Sequence, residues 1–396
     1  MDLILHIGTE KTGSTSFQWW GAENRQALMD SGIYYSRSLG ERNHQRIYVW
    51  ALDGFGPDDG FGHIGITDQA GYLRLQQEVP ADLAREIAAA RDAGCHSFVI
   101  SSEHCHSRLV RPEQVQRLRG MLAPLFDRIQ VLCAVRPQID MGLSLLSTAA
   151  RGWSPITPAA LDQIRPHNLY FNFEVLNGRW SAAFGSDNVT FIAYTRGKSV
   201  IDHVVSRFGL DPDGFVSPPR TNSAFDARTF AIVNTLAHLS ADQQKAMRPV
   251  LNPILDDLPV ETPLRPSRAH AQDIQAHFTE QNARLIDRRT DLEPGDLDPD
   301  WSRYPETGNL DILDATAVHD GQTALLLHDM ARQMTLQNLY RALSDTERLI
   351  LGGRNTQAKR QFQGIERLSK RLQTFGWTRP VKMNERIARM SKTLDN

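Results

Sequence analysis

Cysteine is scarce: the 396 residues hold only Cys95, Cys105 and Cys133, an odd number lying in or beside apolar segments. That usage excludes a disulfide scaffold and suits a reducing cytoplasm, with each thiol acting as a small buried hydrophobe. Long apolar runs are missing as well. No stretch of about 18 apolar residues occurs, so no membrane span is expected. No signal peptide is expected either, because "DLILHIG" reads as a strand from residue 2 and leaves no room for a charged leader. Positive charge is not in excess: the formal net charge is −2, which argues against a dedicated nucleic-acid binder. What remains is 41% apolar and 23% charged, the composition of a soluble globular protein with one large domain or two to three smaller ones.

Residues 1–210 alternate strand and helix signals. "LILHIG" (3–8), "IYYS" (33–36), "SFVIS" (97–101), "RIQVLCAV" (128–135) and "NVTFIAY" (188–194) read as five strands. Helices are expected at about 14–31, closed by Gly32, at about 82–93, closed by Gly94, and over the segment carrying Val115, Leu118, Leu122 and Leu125. This order implies an α/β fold, a three-layer parallel sheet with ligands at the carboxyl ends of its strands. Between the elements, "DGFGPDDGFGHIG" (53–65) holds five glycines and reads as a mobile loop, a substrate lid or a plain surface excursion.

Beyond about residue 215 the pattern becomes mainly helical, with stretches at about 225–248, 268–288 and 320–350. The expected division is an α/β domain over 1–215 and a mainly helical C-terminal extension over 216–396, either a separate domain or a cover over the ligand site. The last 43 residues carry eleven Lys/Arg against three Asp/Glu. Such a run is usually a solvated helix face; weak peripheral contact with an acidic membrane surface, or with an anionic substrate, is the sharper alternative.

The stretch "LHIGTEKTGSTSFQ" (5–18) carries the chemistry. A strand, a glycine-bounded loop and a helix N-terminus make an anion site, because free backbone N–H groups and the helix dipole both favour negative charge. Gly8 and Gly13 have the spacing of G-x-x-x-x-G-K-[ST], yet Ser14 stands where the lysine belongs and Lys11 sits inside the loop. The later strands end in "ISSEH", "AVRP" and "AYTR", without the strand-ending Asp that holds Mg²⁺ in enzymes acting on β/γ-phosphates. A phosphate-bearing anion handled without a metal is the reading that follows.

"HIGTEKTGSTSFQ" resembles the 5′-phosphosulfate loop of sulfotransferases that use 3′-phosphoadenosine 5′-phosphosulfate (PAPS), with its K-x-G-[ST]-[ST] core. The resemblance implies that Lys11 contacts the oxygen bridging phosphorus and sulfur, and that Thr12, Gly13, Ser14, Thr15 and Ser16 hold the 5′-phosphate. It further implies that Arg136, ending a strand in "VLCAVRPQIDMGLSLLS", and Ser144, eight residues on, bind the 3′-phosphate. Pro137 suits a first helical position, and Ile139, Leu143, Leu146 and Ala150 form an apolar stripe opposite Asp140, Ser144, Ser147 and Arg151. In "NVTFIAYTRGKS" only Tyr194 carries over, as a nucleotide contact, since Thr195 replaces the family's acidic residue. The resemblance covers roughly residues 1–215, and it implies no metal and release of 3′,5′-adenosine bisphosphate (PAP).

In-line sulfuryl transfer needs positioning, a cation beside the leaving oxygen and a base for the acceptor hydroxyl. Lys11 suits the second task. For the third, "FVISSEHCHSRL" places Ser101, Ser102, Glu103, His104 and His106 at the end of the third strand. Glu103 is the expected base, its pKa raised by the nearby anion, and His104 the next choice; His106 and His44 remain alternatives, while His6 reads as a satisfied core residue. The expected activity is thus a PAPS-dependent sulfotransferase acting on a hydroxyl or amine, with a carbohydrate or glycolipid as the suggested acceptor. The competing readings are a Mg²⁺-dependent P-loop kinase or nucleotide hydrolase and a non-catalytic nucleotide-binding scaffold.

Overall fold

The computed structural model describes residues 1–194, 198–219, 225–258, 260–314, 321–374 and 379–395. Thr195 lies outside the described residues. The chain forms two compact units: residues 1–145, 161–221 and 267–306 make the first, and residues 146–160, 222–266 and 307–396 the second.

All five expected strands form in the first unit: β1 (Asp2–Gly8), β2 (Ile33–Tyr35), β3 (Ser97–Ser101), β4 (Arg128–Val135) and β5 (Val189–Ala193). They make one parallel sheet in the order β2-β3-β1-β4-β5. The strands read as continuous apolar runs because both faces are covered. On one face Ile4, Val99, Leu132, Ala134 and Ile192 meet Phe17 and Trp20 of the helix Ser14–Glu23 and Val200 and Val204 of the helix Val200–Phe208. Leu3, Leu5, Phe98, Ile100 and Val131, alternating with these along the strands, are equally buried, and the helix Phe173–Phe184 lies against β4 and β5. The fold is α/β, as its strand and helix order implies.

The chain leaves β1 towards β2 and leaves β4 towards β5, on opposite sides. The carboxyl ends of β1 and β4 are therefore neighbours at the point where the winding reverses, which is where open parallel sheets bind ligands.

Three departures from the sequence expectation have local causes. The single helix expected at about 14–31 is two, Ser14–Glu23 and Arg25–Asp30. Between them the Asn24 amide donates to Trp20 O and Val216 O, both at 2.9 Å, and its oxygen accepts from Val216 N at 2.7 Å. The helix expected at about 82–93 spans Gln69–Asp92 and contains Pro80. Proline supplies no N–H to the carbonyl four residues back; that carbonyl, of Gln76, accepts instead from Trp50 Nε1 at 3.1 Å. The glycine-rich stretch 53–65 is partly ordered by a short helix, Asp59–His63, whose first N–H groups are capped by Asp58.

Segment 267–306, read from sequence as part of the C-terminal extension, folds with the first unit. Its helix Arg268–Ala276 places Gln275, whose side-chain oxygen accepts from Ile139 N at 3.2 Å and whose amide donates to Gln138 Oε1 at 2.8 Å. Further on, Asp291 accepts from Phe191 N at 2.8 Å on the edge strand β5.

The second unit is helical: Ala227–Leu236, Ala241–Asp257, Gly321–Leu351, Asn355–Thr374 and Val381–Asp395. In its last two helices Ala358, Phe362 and Ile365, and Met383, Met390 and Leu394, recur at helical spacing and are buried. Lys359, Arg360, Arg367, Lys382, Arg389 and Lys392 occupy the exposed faces. Among the described residues, no helix is long and apolar enough to cross a membrane.

Candidate active site

The loop after β1 is shaped by its own side chains. Thr9 anchors it to β4, its N–H and its hydroxyl both donating to Ala134 O, at 2.7 and 2.9 Å. Gly8 has φ +99°, and a Cβ there would lie 3.1 Å from Cα and Cβ of Glu103. Lys11 and Gly13 both adopt positive φ, +68° and +83°. The Thr12 and Ser14 hydroxyls donate to Thr9 O at 2.6 and 3.2 Å. Those two hydroxyl protons hold the turn, so Thr12 and Ser14 do not offer them to an anion. The helix Ser14–Glu23 begins at Gly13 without a side-chain cap, which leaves its first N–H groups and positive dipole end available. Thr15 is exposed and Ser16 half-buried.

Arg136 reaches this loop from the end of β4. Its Nη1 donates to Lys11 O at 3.1 Å, and its guanidinium carbon lies 5.9 Å from the Tyr194 ring centre. Tyr194 itself closes over Gly13: a Cβ there would be 3.0 Å from the ring. The Arg136 side chain is only 16% exposed, and its Nε is buried without a hydrogen-bond partner. Burial pulls the guanidinium pKa down, partly countered by Asp140, whose carboxylate stands 3.8 Å from Nη2.

Asp140, placed by helical spacing on a polar face, is not solvated: it is 4% exposed. It accepts from the Tyr304 hydroxyl at 2.7 Å, and Arg303 stands 3.9 Å away. Segment 267–306 brings one cation, Arg303, and one phenol, Tyr304, to the polar face of this helix. Ser147 is buried as well, whereas Ser144, one turn beyond Asp140, is half-buried. The expected apolar stripe, Ile139, Leu143, Leu146 and Ala150, is buried.

At the end of β3, Glu103 sits beside Gly8, and its Oε2 accepts from Gln18 Nε2 and from Asn43 Nδ2, the latter at 3.0 Å. His104 Nδ1 stands 3.7 Å from Glu10 Oε1, at ion-pair distance rather than hydrogen-bond distance. The other Glu10 oxygen accepts from the Tyr170 hydroxyl at 3.0 Å. Burial would raise the Glu10 carboxyl, but His104 and Ser107 beside it and the charge of His106 outweigh burial and hold it at about 2. His104 responds in the opposite sense. Burial lowers its pKa, but the contact with Glu10 and the charges of Glu103 and Glu10 carry it above the ordinary imidazole value.

The other histidines are structural. His44 donates from Nε2 to Ser36 O at 3.0 Å and accepts at Nδ1 from Ser101 N at 2.8 Å. Burial lowers its pKa to about 3, so both nitrogens are committed and the ring is neutral. His106 donates from Nε2 to Tyr170 O at 3.0 Å, and burial lowers its pKa to about 4. His6 departs from the sequence reading: Nδ1 shares a hydrogen bond with Ser101 Oγ at 2.8 Å, but Nε2 is buried with no partner. The Ser102 hydroxyl is likewise buried without one.

The fold thus gathers Lys11, Gly13, Arg136 and Tyr194 at the β1/β4 crevice, with Glu103 against Gly8 and His104 against Glu10 in the same loop. Glu10, Gln18, Asn43 and Asp140 had no assigned role from sequence. Gln18 had one usable signal, standing one helical turn after Ser14 at the uncapped helix N-terminus.

No protein-family model matches the chain, and no curated protein is similar to it. Among solved structures, a sulfotransferase from Alicyclobacillus acidocaldarius is similar over 61% of this chain and 98% of its own, at 16% identity and a TM-score of 0.33. At that level the likeness adds nothing to what the residues themselves support.

Proposed function

We propose that the chain transfers a sulfuryl group from PAPS to a hydroxyl or amine of an acceptor and releases PAP. The observation that carries this reading is the hydrogen bond from Arg136 to the Lys11 carbonyl. It ties a phosphate-shaped cation at the end of β4 to an uncapped helix N-terminus after β1, while Arg136 Nε remains unpartnered and buried. A ligand with two separated phosphate groups suits this pair of elements, and the displaced Lys11 supplies a second cation at the loop itself.

In this reading the backbone N–H groups from Gly13 to Ser16 hold the 5′-phosphate, and Thr12 and Ser14 keep the loop in shape through Thr9 O. Arg136, oriented by buried Asp140, and Ser144 hold the 3′-phosphate, and Tyr194 flanks the nucleotide beside Gly13. The donor, when bound, supplies an activated sulfuryl group; charge on its leaving oxygen is met by the Lys11 ammonium. Glu103 is the acceptor's base. Gln18 and Asn43 fix one of its oxygens and leave the other to take a proton. His104 stands next to it, and its raised pKa suits it to carry positive charge near the transferred group rather than to serve as the base. The three unpaired cysteines fit the cytoplasm as the site of this activity.

A thermal-shift titration with PAP and with ATP, each with and without Mg²⁺, tests the reading. Binding stabilises by RT ln(1 + [L]/Kd), about 2.7 kcal/mol at a hundredfold excess over Kd. The expected result is a PAP shift indifferent to Mg²⁺ and abolished by Arg136→Ala. A shift with ATP alone, dependent on Mg²⁺, would replace this reading by a kinase-like one.

A further inference from the structure

Next to the Glu10–His104 pair is a cleft of about 520 Å³ between the glycine-rich stretch 53–61 and the segment 108–114. Asp53, Asp58, Asp59, Arg108, Arg111 and Phe61 line it. Two connections tie it to the candidate site. Tyr48 donates its hydroxyl to Asp58 Oδ1 at 3.1 Å, and the Tyr48 ring centre lies 5.2 Å from that of His104. Arg108 ends the short helix His104–Arg108 that begins with the same histidine.

The charges in the cleft answer one another. Arg108 pairs with Asp58 at 3.2 Å and with Asp59 at 3.1 Å, and Arg111 pairs with Asp53, which also accepts from Gln114 Nε2 at 2.7 Å. Three carboxylates against two guanidinium groups give the lining a charge of −1. An anionic ligand would meet that surplus negative charge, and a phenol, with a single hydroxyl, would displace water from five charged groups and replace few of its hydrogen bonds. A hydroxyl donates to a carboxylate and accepts from a guanidinium, so a polyol satisfies both halves of every pair without breaking the charge balance. An apolar surface stands beside the cleft: Phe55, 38% exposed, packs 5.0 Å ring to ring on Phe61, a lining residue that is itself buried. An aromatic edge beside paired charges suits a sugar ring, which has one apolar face and a rim of hydroxyls.

We infer that this cleft holds the acceptor and that the acceptor is a neutral carbohydrate. The inference rests on the sulfotransferase reading for the word acceptor, but not for the binding itself. The test is binding of the full chain to an array of neutral, uronate-bearing and sulfated oligosaccharides, with 4-nitrophenol as soluble competitor. PAP thermal shifts are measured on the same preparations. Neutral oligosaccharides should bind, and Asp59→Asn and Arg111→Ala should each weaken them roughly tenfold, as loss of one charge-assisted hydrogen bond does. Both variants should keep the wild-type PAP shift, which shows that they fold. A blank array, preference for uronate or sulfated glycans, displacement by 4-nitrophenol, or unchanged binding in both variants would overturn the inference. Neutral-glycan binding without any PAP shift would leave the cleft assignment standing and remove the donor reading.

Discussion

Lowering the pH from 7 to 5 should cost the first unit about 6 kcal/mol of stability, because three buried neutral histidines surround the ends of β1 and β3. His6 and His44 have pKa values lowered to about 3 and His106 to about 4, and burial is the leading cause for each. All three are no more than 1% exposed, so solvent screening does not soften the effect. Unfolded, each would titrate near 6.5. Below that pH the unfolded chain binds a proton that the folded chain refuses, so stability falls as pH falls. The loss is about 1.4 kcal/mol per pH unit per histidine, hence about 2 kcal/mol each at pH 5 and about 6 kcal/mol together. Typical domains are stable by about 5–15 kcal/mol, so the loss would unfold a marginal one and remove about two-fifths of the stability of the most stable. Two neighbours do not cancel the effect. Glu10, depressed to about 2, contributes stability above the ordinary glutamate range that disappears only as pH drops from there through 2. His104, raised, contributes fully below 6.5 and loses its contribution only as pH climbs through its folded value. Urea unfolding followed by tryptophan fluorescence is the assay, since five of the seven tryptophans (Trp19, Trp20, Trp50, Trp180 and Trp301) belong to the first unit. Between pH 6 and 4.5 the unfolding free energy should change by about 4 kcal/mol per pH unit, the uptake of three protons. His106→Asn should cut that slope by about a third. A slope corresponding to one proton or fewer would refute the burial argument.

Gly13→Ala should cost about 1–2 kcal/mol of stability, for an alanine forced into the left-handed region, and also push Tyr194 off the loop. Its PAP affinity should fall by roughly tenfold or more; calorimetric binding equal to wild type would show that Tyr194 and the Gly13 turn do not touch the ligand. The three thiols are buried, and burial raises their pKa values. Ellman's reagent should therefore find none of them in the native protein and all three in concentrated guanidinium; one immediate native equivalent would contradict the packing of β3 and β4.

The five strands and the phosphate-type loop were legible in the sequence because both depend on local order. Apolar runs bounded by turns form strands wherever a sheet covers both faces, and Gly8 and Gly13 stand at positive φ where side chains would clash. Burial of Ile139, Leu143, Leu146 and Ala150 followed from helical period alone. The helix boundaries were less legible. Asn24 breaks a continuous pattern only because Val216, far along the chain, meets its amide, and Pro80 stays inside a helix only because Trp50 takes the orphaned carbonyl.

The site divides in the same way. The parts proposed to bind anions, Lys11 with its loop and Arg136 after β4, lie at strand ends whose position is set by chain order. Which side chains then meet across the crevice was decided by tertiary packing. Glu10 beside His104, Gln18 and Asn43 on Glu103, and Asp140 between Arg136 and segment 267–306 join residues whose separations in sequence carry no period. The sorting of histidines is also tertiary: His44 is locked and neutral while His104 is raised, although both lie beside apolar segments. Local periodicity reports only the turn or pleat that a residue belongs to. Desolvation and pairing depend on what the rest of the chain brings to it, and here that decided which candidate histidine is locked neutral and which has its pKa raised.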